Sequence, residues 1–589
     1  MTNANSPVLT RGPKRWWQDA IIYQVWPASF QDSNGDGMGD IPGIISRLDY
    51  IKSTGANTIW LSPMYDSPQI DMGYDIADYN AIYPPYGTMA DMDALIKGCH
   101  ERGLRILCDL VINHCSDQHK WFQESRSSKD NPKRDWFIWR PAKYDADGKR
   151  HPPNNWRSCF SESAWEWDEK TQEYYLHLFV VGQPDFNWTN EECRKAIIDS
   201  AIKYWLEKGV DGFRIDTASM YSKPMDFPDA PVIDKDVEHQ PAFHLFCDGP
   251  QLEDYLREIG KVFAQYDSMT VGEFPNATFE RSVRATSASD PQMSMNFHFS
   301  LCDFGRDVEN DLYRLLPAEK RRLSQFKEII RAHQTHVEGT DSWPSFFLEN
   351  HDIARAISRY ANDAPEHRVA SGKMLATLAA SQSGTLFLYQ GQEIGTVNFP
   401  KDWDIEDYQD IGSINYWKML KAKGASQQEF DTAKLNLSAL ARDHARTPVQ
   451  WSAEQHAGFT TNAKGPWMKV NDTYKDINVA SQDKDAGSVL NYYRKAMQLR
   501  TKHIDVLGHG LFRIHDPKSD ETLVYAKLSD EQAKGKIAVV ALNFTTKEVA
   551  FTLPAEAKGK NLDLALGTHG DAHDEGKLRP LEGRIYLSA

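Results

Sequence analysis

Short apolar runs alternate with longer stretches of helical periodicity along most of the chain. Residues 21–26, 58–61, 105–112, 212–215, 270–272, 293–298, 345–348 and 386–389 each read as a buried strand bounded by polar or turn-forming positions. The intervening stretches predict crossover helices, and eight such units predict a (β/α)8 TIM barrel. The clearest helix is expected over 189–208. Thr189 and Glu192 form a capping-box pair, and Ile198, Ala201, Ile202 and Trp205 make one apolar face. Lys208 and Gly209 supply a terminal cation and a C-cap glycine.

Two stretches break this alternation. Residues 115–184 are polar, aromatic and too long for a loop, so an inserted subdomain is expected after strand three. Beyond residue 508, short alternating runs at 523–527, 537–543, 549–553, 561–566 and 584–587 predict an antiparallel β-sandwich. The expected organisation is a barrel over 1–114 and 185–507, the subdomain over 115–184, and the sandwich over 508–589.

Length and charge narrow the function classes. A chain of 589 residues exceeds one compact core. Its net charge of -16 argues against nucleic-acid binding and against docking on anionic membranes. Seven cysteines are scattered without a CxxC pair, and none follows Cys302, which fits reduced thiols. Residues 1–19 carry no apolar leader, and no run of about 18 apolar residues occurs. A cytoplasmic monomer acting on small molecules is expected.

Chemistry gathers just past the expected strand ends. Strand three leads to Asn113 and His114, strand four to Arg214 and Asp216, strand five to Glu273, and strand seven to Glu349, Asn350, His351 and Asp352. In a barrel these ends line one pocket. Two carboxyl groups can cleave a glycosidic bond, one attacking the anomeric carbon and one protonating the departing oxygen. Retention needs them about 5–5.5 Å apart, which neighbouring strand ends suit. Arg214, two residues before Asp216, can project to the same side and keep it ionised. Burial and nearby negative charge would keep Glu273 protonated. Taken singly, each position has a plainer reading: Asp216 a helix cap, Glu273 a loop residue, His114 a satisfied core histidine. Their joint order along the strands carries the argument.

Four segments, Asp109 to His114, Gly212 to Asp216, Val271 to Glu273 and Glu349 to Asp352, resemble the α-amylase superfamily, glycoside hydrolase family 13. Gln183 to Asn187 and Arg442 to Pro448 resemble its oligo-1,6-glucosidase branch, with Phe186 where members usually carry Leu. Similarity to the fungal maltases and isomaltases covers nearly the whole chain. The resemblance implies a retaining, exo-acting α-glucosidase that needs no cofactor for catalysis. It implies Asp216 as nucleophile, Glu273 as acid/base and Asp352 as the third acid. It further implies that His114, Arg214 and His351 touch the innermost glucose, and that Asp71 and Tyr74 close the pocket. Arg446 is expected to pair with Asp71, and Phe179 to flank the same sugar.

Thr217 follows the nucleophile and precedes Ala218. In that family isomaltases usually carry Val there, so preference for the α-1,4 bonds of maltose and maltooligosaccharides is expected, with α-1,6 bonds and sucrose as further candidate substrates. The alternative is that Thr217 only packs. The loop Asp32 to Asp40 resembles the first half of a calcium loop, without the distal Glu. Asp32, Asn34, Asp36, Asp40 and the Met38 carbonyl are the expected ligands of a structural Ca2+ or Mg2+, as relatives in this branch imply. A glycine-rich turn with capping acids and no ion is the alternative.

Two rival functions stand beside the hydrolase. A transglucosidase or sucrose isomerase shares the chemistry up to the glucosyl-enzyme, but Arg314-Leu315-Leu316 and Arg321-Arg322-Leu323 lack the Arg-Leu-Asp-Arg pattern of the isomerases. A non-catalytic, transporter-subunit-like module would carry a membrane helix and lack the acids, contrary to this sequence.

Overall fold

Eight parallel strands form one sheet: β1 (Ile21–Val25), β2 (Thr58–Leu61), β3 (Arg105–Leu110), β4 (Gly212–Ile215), β5 (Met269–Phe274), β6 (Met295–His298), β7 (Ser345–Phe346) and β8 (Thr385–Tyr389). The computed structural model describes residues 14–160, 162–235, 237–307, 311–529, 535–569 and 576–588. Residues 1–13, on which the absence of a leader was read, and parts of the terminal sandwich segment lie outside that set. The strand order is β6-β5-β4-β3-β2-β1-β8-β7. Between its two ends, the Ser345 hydroxyl donates to the Asn296 carbonyl at 2.7 Å, so β7 meets β6 and the sheet is nearly closed into a (β/α)8 barrel.

β1, β2, β4, β5 and β8 are buried at every position, as strands covered on both faces must be. Inside the ring, Ile22, Trp60, Leu107, Met269, Val271, Met295, Phe297, Phe347 and Phe387 pack into one plug. β3 stops at Leu110, short of the expected residue 112. The next carbonyls are taken by side chains instead: Tyr79 OH donates to Val111 O and Trp188 Nε1 to Ile112 O.

The helix expected from Thr189 starts two residues later, as α1 (Glu191–Ile197). Asn190 is the cap, its side chain accepting from the Cys193 N–H at 3.0 Å. Thr189 is drawn off, because its hydroxyl donates to Asn187 Oδ1 at 2.6 Å. Residues Ile198–Lys203 are π-helical before an α-turn resumes at Tyr204–Glu207. Asn80 Nδ2 donates to the Ser200 carbonyl and the Ser200 hydroxyl to the Ala196 carbonyl, competing with the regular ladder. The four apolar positions are buried nonetheless.

After β3 comes a three-stranded antiparallel sheet of Trp139–Arg140, Glu173–Leu176 and Trp165–Asp168. Its core of Trp156, Trp165, Leu176 and Leu178 includes Phe227 and Phe246 from the segment after β4. At the C-terminal end, β9 (Leu511–His515), β10 (Thr522–Leu528), β11 (Ile537–Asn543), β12 (Leu562–Gly567) and β13 (Gly583–Ser588) form an antiparallel sheet in the order β9-β10-β11-β13-β12. A two-stranded ribbon, Val549–Ala550 with Lys577–Leu578, packs against it through Val539, Ala541, Phe551 and Tyr586. Among the described residues, no helix is long and apolar enough to cross a membrane.

Candidate active site

The parallel register sets the central geometry. Ile215 on β4 pairs with Gly272 on β5, so the next residues, Asp216 and Glu273, stand side by side on adjacent strands. Arg214 reaches both. Its Nη1 donates to Asp216 Oδ1 at 2.7 Å and to Asp109 Oδ1 at 2.8 Å, and its Nη2 lies 2.8 Å from Glu273 Oε2. Thr217 ties the two acids a second time: its N–H donates to Glu273 Oε2 at 3.1 Å and its hydroxyl to Asp216 Oδ2 at 3.2 Å. Thr217 makes these contacts in the left-handed region, φ 40, an uncommon conformation for a β-branched residue.

Burial dominates the electrostatics. It raises both Asp216 and Glu273 to about 7, against the opposing pull of Arg214 and with help from neighbouring carboxylates. Asp109 is raised to about 6 for the same reason. Three carboxyls around one guanidinium titrate together, and near neutrality the group retains a proton.

Asp352 has the opposite character. Despite burial, its carboxyl is held well below its ordinary value by His351, Arg442 and Arg446. Arg442 Nη1 and Arg446 Nη2 each donate to Asp352 Oδ1 at 3.0 Å, and His351 Nε2 lies 3.0 Å from Oδ2. Burial drops His351 to about 4, so the ring is neutral at pH 7. His351 packs against both Trp26 and Tyr74, with centroids 5.2 and 5.4 Å away, and those two rings lie 6.5 Å from each other. Tyr74 OH touches His351 Nε2 at 2.5 Å and Asp109 Oδ2 at 3.1 Å.

Asp71, His114 and Phe179 gather beside Gln183. Gln183 Nε2 lies 3.2 Å from both Asp71 Oδ2 and His114 Nε2, and the His114 ring sits 4.9 Å from that of Phe179. Burial raises Asp71 to about 7. The expected Arg446–Asp71 pair is corrected: Arg442 Nη2 approaches Asp71 Oδ1, at 3.5 Å, while Arg446 is held by Asp410 and by the His351 carbonyl. Both arginines lie within the quoted segment at i, i+4 spacing, so spacing alone does not distinguish which of the two cations meets Asp71. Phe160 was also missed; its ring lies 4.7 Å from the Arg442 guanidinium. Gln183 opens the quoted Gln183 to Asn187 segment without a role assigned to it, and no motif marked Phe160 or Trp26.

The expected ion loop is closed by its own hydrogen bonds. Asp32 Oδ1 accepts from the Asn34 and Gly35 N–H groups, and Oδ2 from the Gly37 N–H and the Thr460 hydroxyl. Asn34 Oδ1 accepts from the Asp36 N–H, and Asp36 Oδ1 from the Met38 N–H. Asp40 accepts from Ser33 and caps the helix Ile41–Ser46 through the Gly43 N–H. Among the described residues, no three His, Cys, Asp or Glu side chains gather as a metal cluster. The donor set therefore fits an ion only through the Asn34 amide and the Met38 carbonyl as well.

A barrel with this acid constellation defines a glycosidase-type site, and similarity to known proteins makes the class specific. The α-amylase catalytic-domain family model matches residues 24–510. An α-glucosidase of Candida albicans is 51% identical, covering 97% of this chain and 99% of its own. An oligo-1,6-glucosidase of Saccharomyces cerevisiae is 46% identical, covering 98% of each chain. An isomaltulose synthase variant from Erwinia rhapontici, solved with sucrose, superposes with a TM-score of 0.90 at 36% identity, covering 98% of this chain and 100% of that one. The chain belongs to the α-amylase family, glycoside hydrolase family 13, in its branch of fungal α-glucosidases and oligo-1,6-glucosidases.

Proposed function

We propose that this enzyme is a retaining, exo-acting α-glucosidase that releases glucose from the nonreducing end of short α-glucosides, maltose foremost. The observation that carries the reading is the Arg214 clamp across Asp216 and Glu273 on adjacent strands. A strand spacing of about 4.8 Å supports the short carboxyl separation that retention requires. In this reading Asp216 attacks the anomeric carbon while Glu273 gives its proton to the departing oxygen. The glycosidic bond breaks, and a glucosyl ester forms on Asp216. Glu273, now ionised, takes a proton from water, whose oxygen displaces Asp216 and frees glucose with its α configuration. Catalysis needs no cofactor.

Asp352, ionised and doubly held by arginine, is suited to grip sugar hydroxyls and to face the positive charge that develops on the ring. Arg214, His114, His351, Tyr74 and Phe179 would line the innermost subsite. The Asp71–Arg442 approach supports a closed end and hence exo action. Thr217 borders the leaving group, which supports preference for α-1,4 bonds over α-1,6 and leaves sucrose as a further substrate.

The deciding experiment compares glucose release from maltose and isomaltose at equal concentration and reads the anomer first formed by NMR. α-Glucose, released faster from maltose, is expected. β-Glucose would overturn retention, and faster isomaltose cleavage would overturn the linkage preference. Asp216→Asn should lose at least about 10³-fold in kcat. The structural likeness to an isomaltulose synthase keeps a second reading alive, transfer or isomerisation of the glucosyl group. Product analysis at high maltose and on sucrose separates it from hydrolysis.

The same proposal includes a structural Ca2+ or Mg2+ held by Asp32, Asn34, Asp36, Asp40 and the Met38 carbonyl. The successive turns made by Asp32, Asn34 and Asp36 along one loop support it. If chelation changes neither the melting temperature nor the ion content, the loop is only a turn. All seven cysteines are free thiols, which supports a reducing compartment such as the cytoplasm. Monomeric behaviour is tested by size-exclusion chromatography.

A further inference from the structure

Asp410 is 0% exposed on its side chain and sits just ahead of α3 (Ile411–Ala422). Its Oδ2 accepts from Arg446 Nη1 and lies in an ion pair with Arg442 Nη2, each at 2.7 Å. The same two guanidiniums each reach Asp352 Oδ1 at 3.0 Å. Two carboxylates and two guanidiniums thus form a closed square, with every edge an ion pair of 3.0 Å or less. Asp71 Oδ1 competes for Arg442 Nη2 from 3.5 Å and is the weaker partner. Asp410 is itself fixed from behind. Asp443 Oδ1 accepts from the Gln409 and Asp410 N–H groups at 2.7 and 2.8 Å, and Asp443 Oδ2 from the Ser413 hydroxyl at 2.7 Å.

Two arginines converging on one oxygen of Asp352 repel each other in a buried site. A second carboxylate between them makes the arrangement tolerable, and Asp410 is that carboxylate. From the geometry we infer that Asp410 is a positioning residue, which fixes both guanidiniums on Asp352 and holds Arg442 back from Asp71. It touches no substrate in this scheme. Its effect on catalysis runs through the placement of Asp352 and through the net charge of the pocket's closed end. The inference rests on the proposed roles of Asp216, Glu273 and Asp352.

The groups facing Asp410 are Arg442 and Arg446, the carboxyls Asp71, Asp352 and Asp443, and the Tyr313 phenol. Removing the Asp410 charge leaves the cluster one unit more positive. Extra positive charge favours ionised carboxyls, so the acidic and basic limbs set by Asp216 and Glu273 should both move to lower pH.

The test measures kcat and KM against pH for the full-length enzyme on p-nitrophenyl α-glucoside, with melting temperature as a control. Asp410→Asn keeps the shape and removes the charge. It should lower kcat by about 10-fold or more, change KM less, and shift both limbs to lower pH. Asp410→Glu keeps the charge but moves it. Its kcat should fall while its limbs stay at the wild-type pH. Should Asp410→Asn fail to fold, wild-type kcat in Asp410→Glu overturns the inference alone. Wild-type kcat and limbs in folded Asp410→Asn overturn it as well. If instead Asp216→Asn retains activity, the assignment of the acids has failed, and that result is distinct from any obtained with Asp410.

Discussion

Thr217 holds a φ of 40 that costs a β-branched residue on the order of 1–3 kcal/mol. The strain aims its N–H at Glu273 and its hydroxyl at Asp216, so one residue orients both acids. Nothing in the sequence announces a positive φ at a threonine, whereas the acids themselves were legible from their order along the strands. Thr217→Val keeps the branching, and therefore the strain, but deletes the hydroxyl. The maltose-to-isomaltose rate ratio should fall by about 10-fold; an unchanged ratio would leave Thr217 with a packing role only. The buried acids also bear on stability. A carboxyl whose folded-state value lies above its unfolded one weakens the fold as pH rises between the two, here from about 4 to about 7 for Asp216. Asp216→Asn should therefore raise stability at pH 8 by about 1–3 kcal/mol, with the gain shrinking toward pH 4. Urea titrations at the two pH values check this, and a loss at pH 8 would show that Arg214 needs the charge more than burial resists it.

At the scale of elements, periodicity was the reliable signal and hydrogen-bond competition the hidden one. The eight strands were legible because each is a short, largely apolar run, buried at nearly every position. The apolar face of α1 and its extension was legible too, since Ile198, Ala201, Ile202 and Trp205 are all buried. The cap was misjudged because Asn187 claims the Thr189 hydroxyl, leaving Asn190 to take the first free N–H. The π-turn was invisible because its cause, Asn80, lies 120 positions away in the chain. Asn190→Ala should cost about 1 kcal/mol of stability, and Thr189→Ala clearly less. Equal losses in chemical denaturation would restore Thr189 as a cap. The pairing of Arg442 with Asp71 belongs to the same lesson: spacing offered two arginines, both reach Asp410 and Asp352, and the further tie of Arg446 to the His351 carbonyl leaves Arg442 to reach across.

For the whole molecule, the sequence separated a barrel from a terminal sandwich but could not say how firmly they join. The junction centres on the turn at residues 381–384, between α2 (Arg368–Ala380) and β8. From α4 (Val489–Lys502), the buried Arg500 donates to the carbonyls of Ala380, Gln382 and Gly384 at 3.0, 2.6 and 2.5 Å. From β10 of the sandwich, Tyr525 OH meets the Ser381 hydroxyl and the Gln382 side chain at 2.5 and 2.8 Å, and Lys527 reaches the Ser383 hydroxyl. One turn is thus gripped from both units, and it feeds β8, where the Gln390 side chain accepts the Trp26 N–H at the edge of the pocket. A buried polar junction of this kind couples the two units, because opening it strands carbonyls and a guanidinium away from water. Tyr525→Phe should cost about 1 kcal/mol and Arg500→Leu about 3–5 kcal/mol. Both should lower a single calorimetric transition for the entire chain. A sandwich transition that moves by itself in Tyr525→Phe, with the barrel transition unmoved, would show that the two units fold independently.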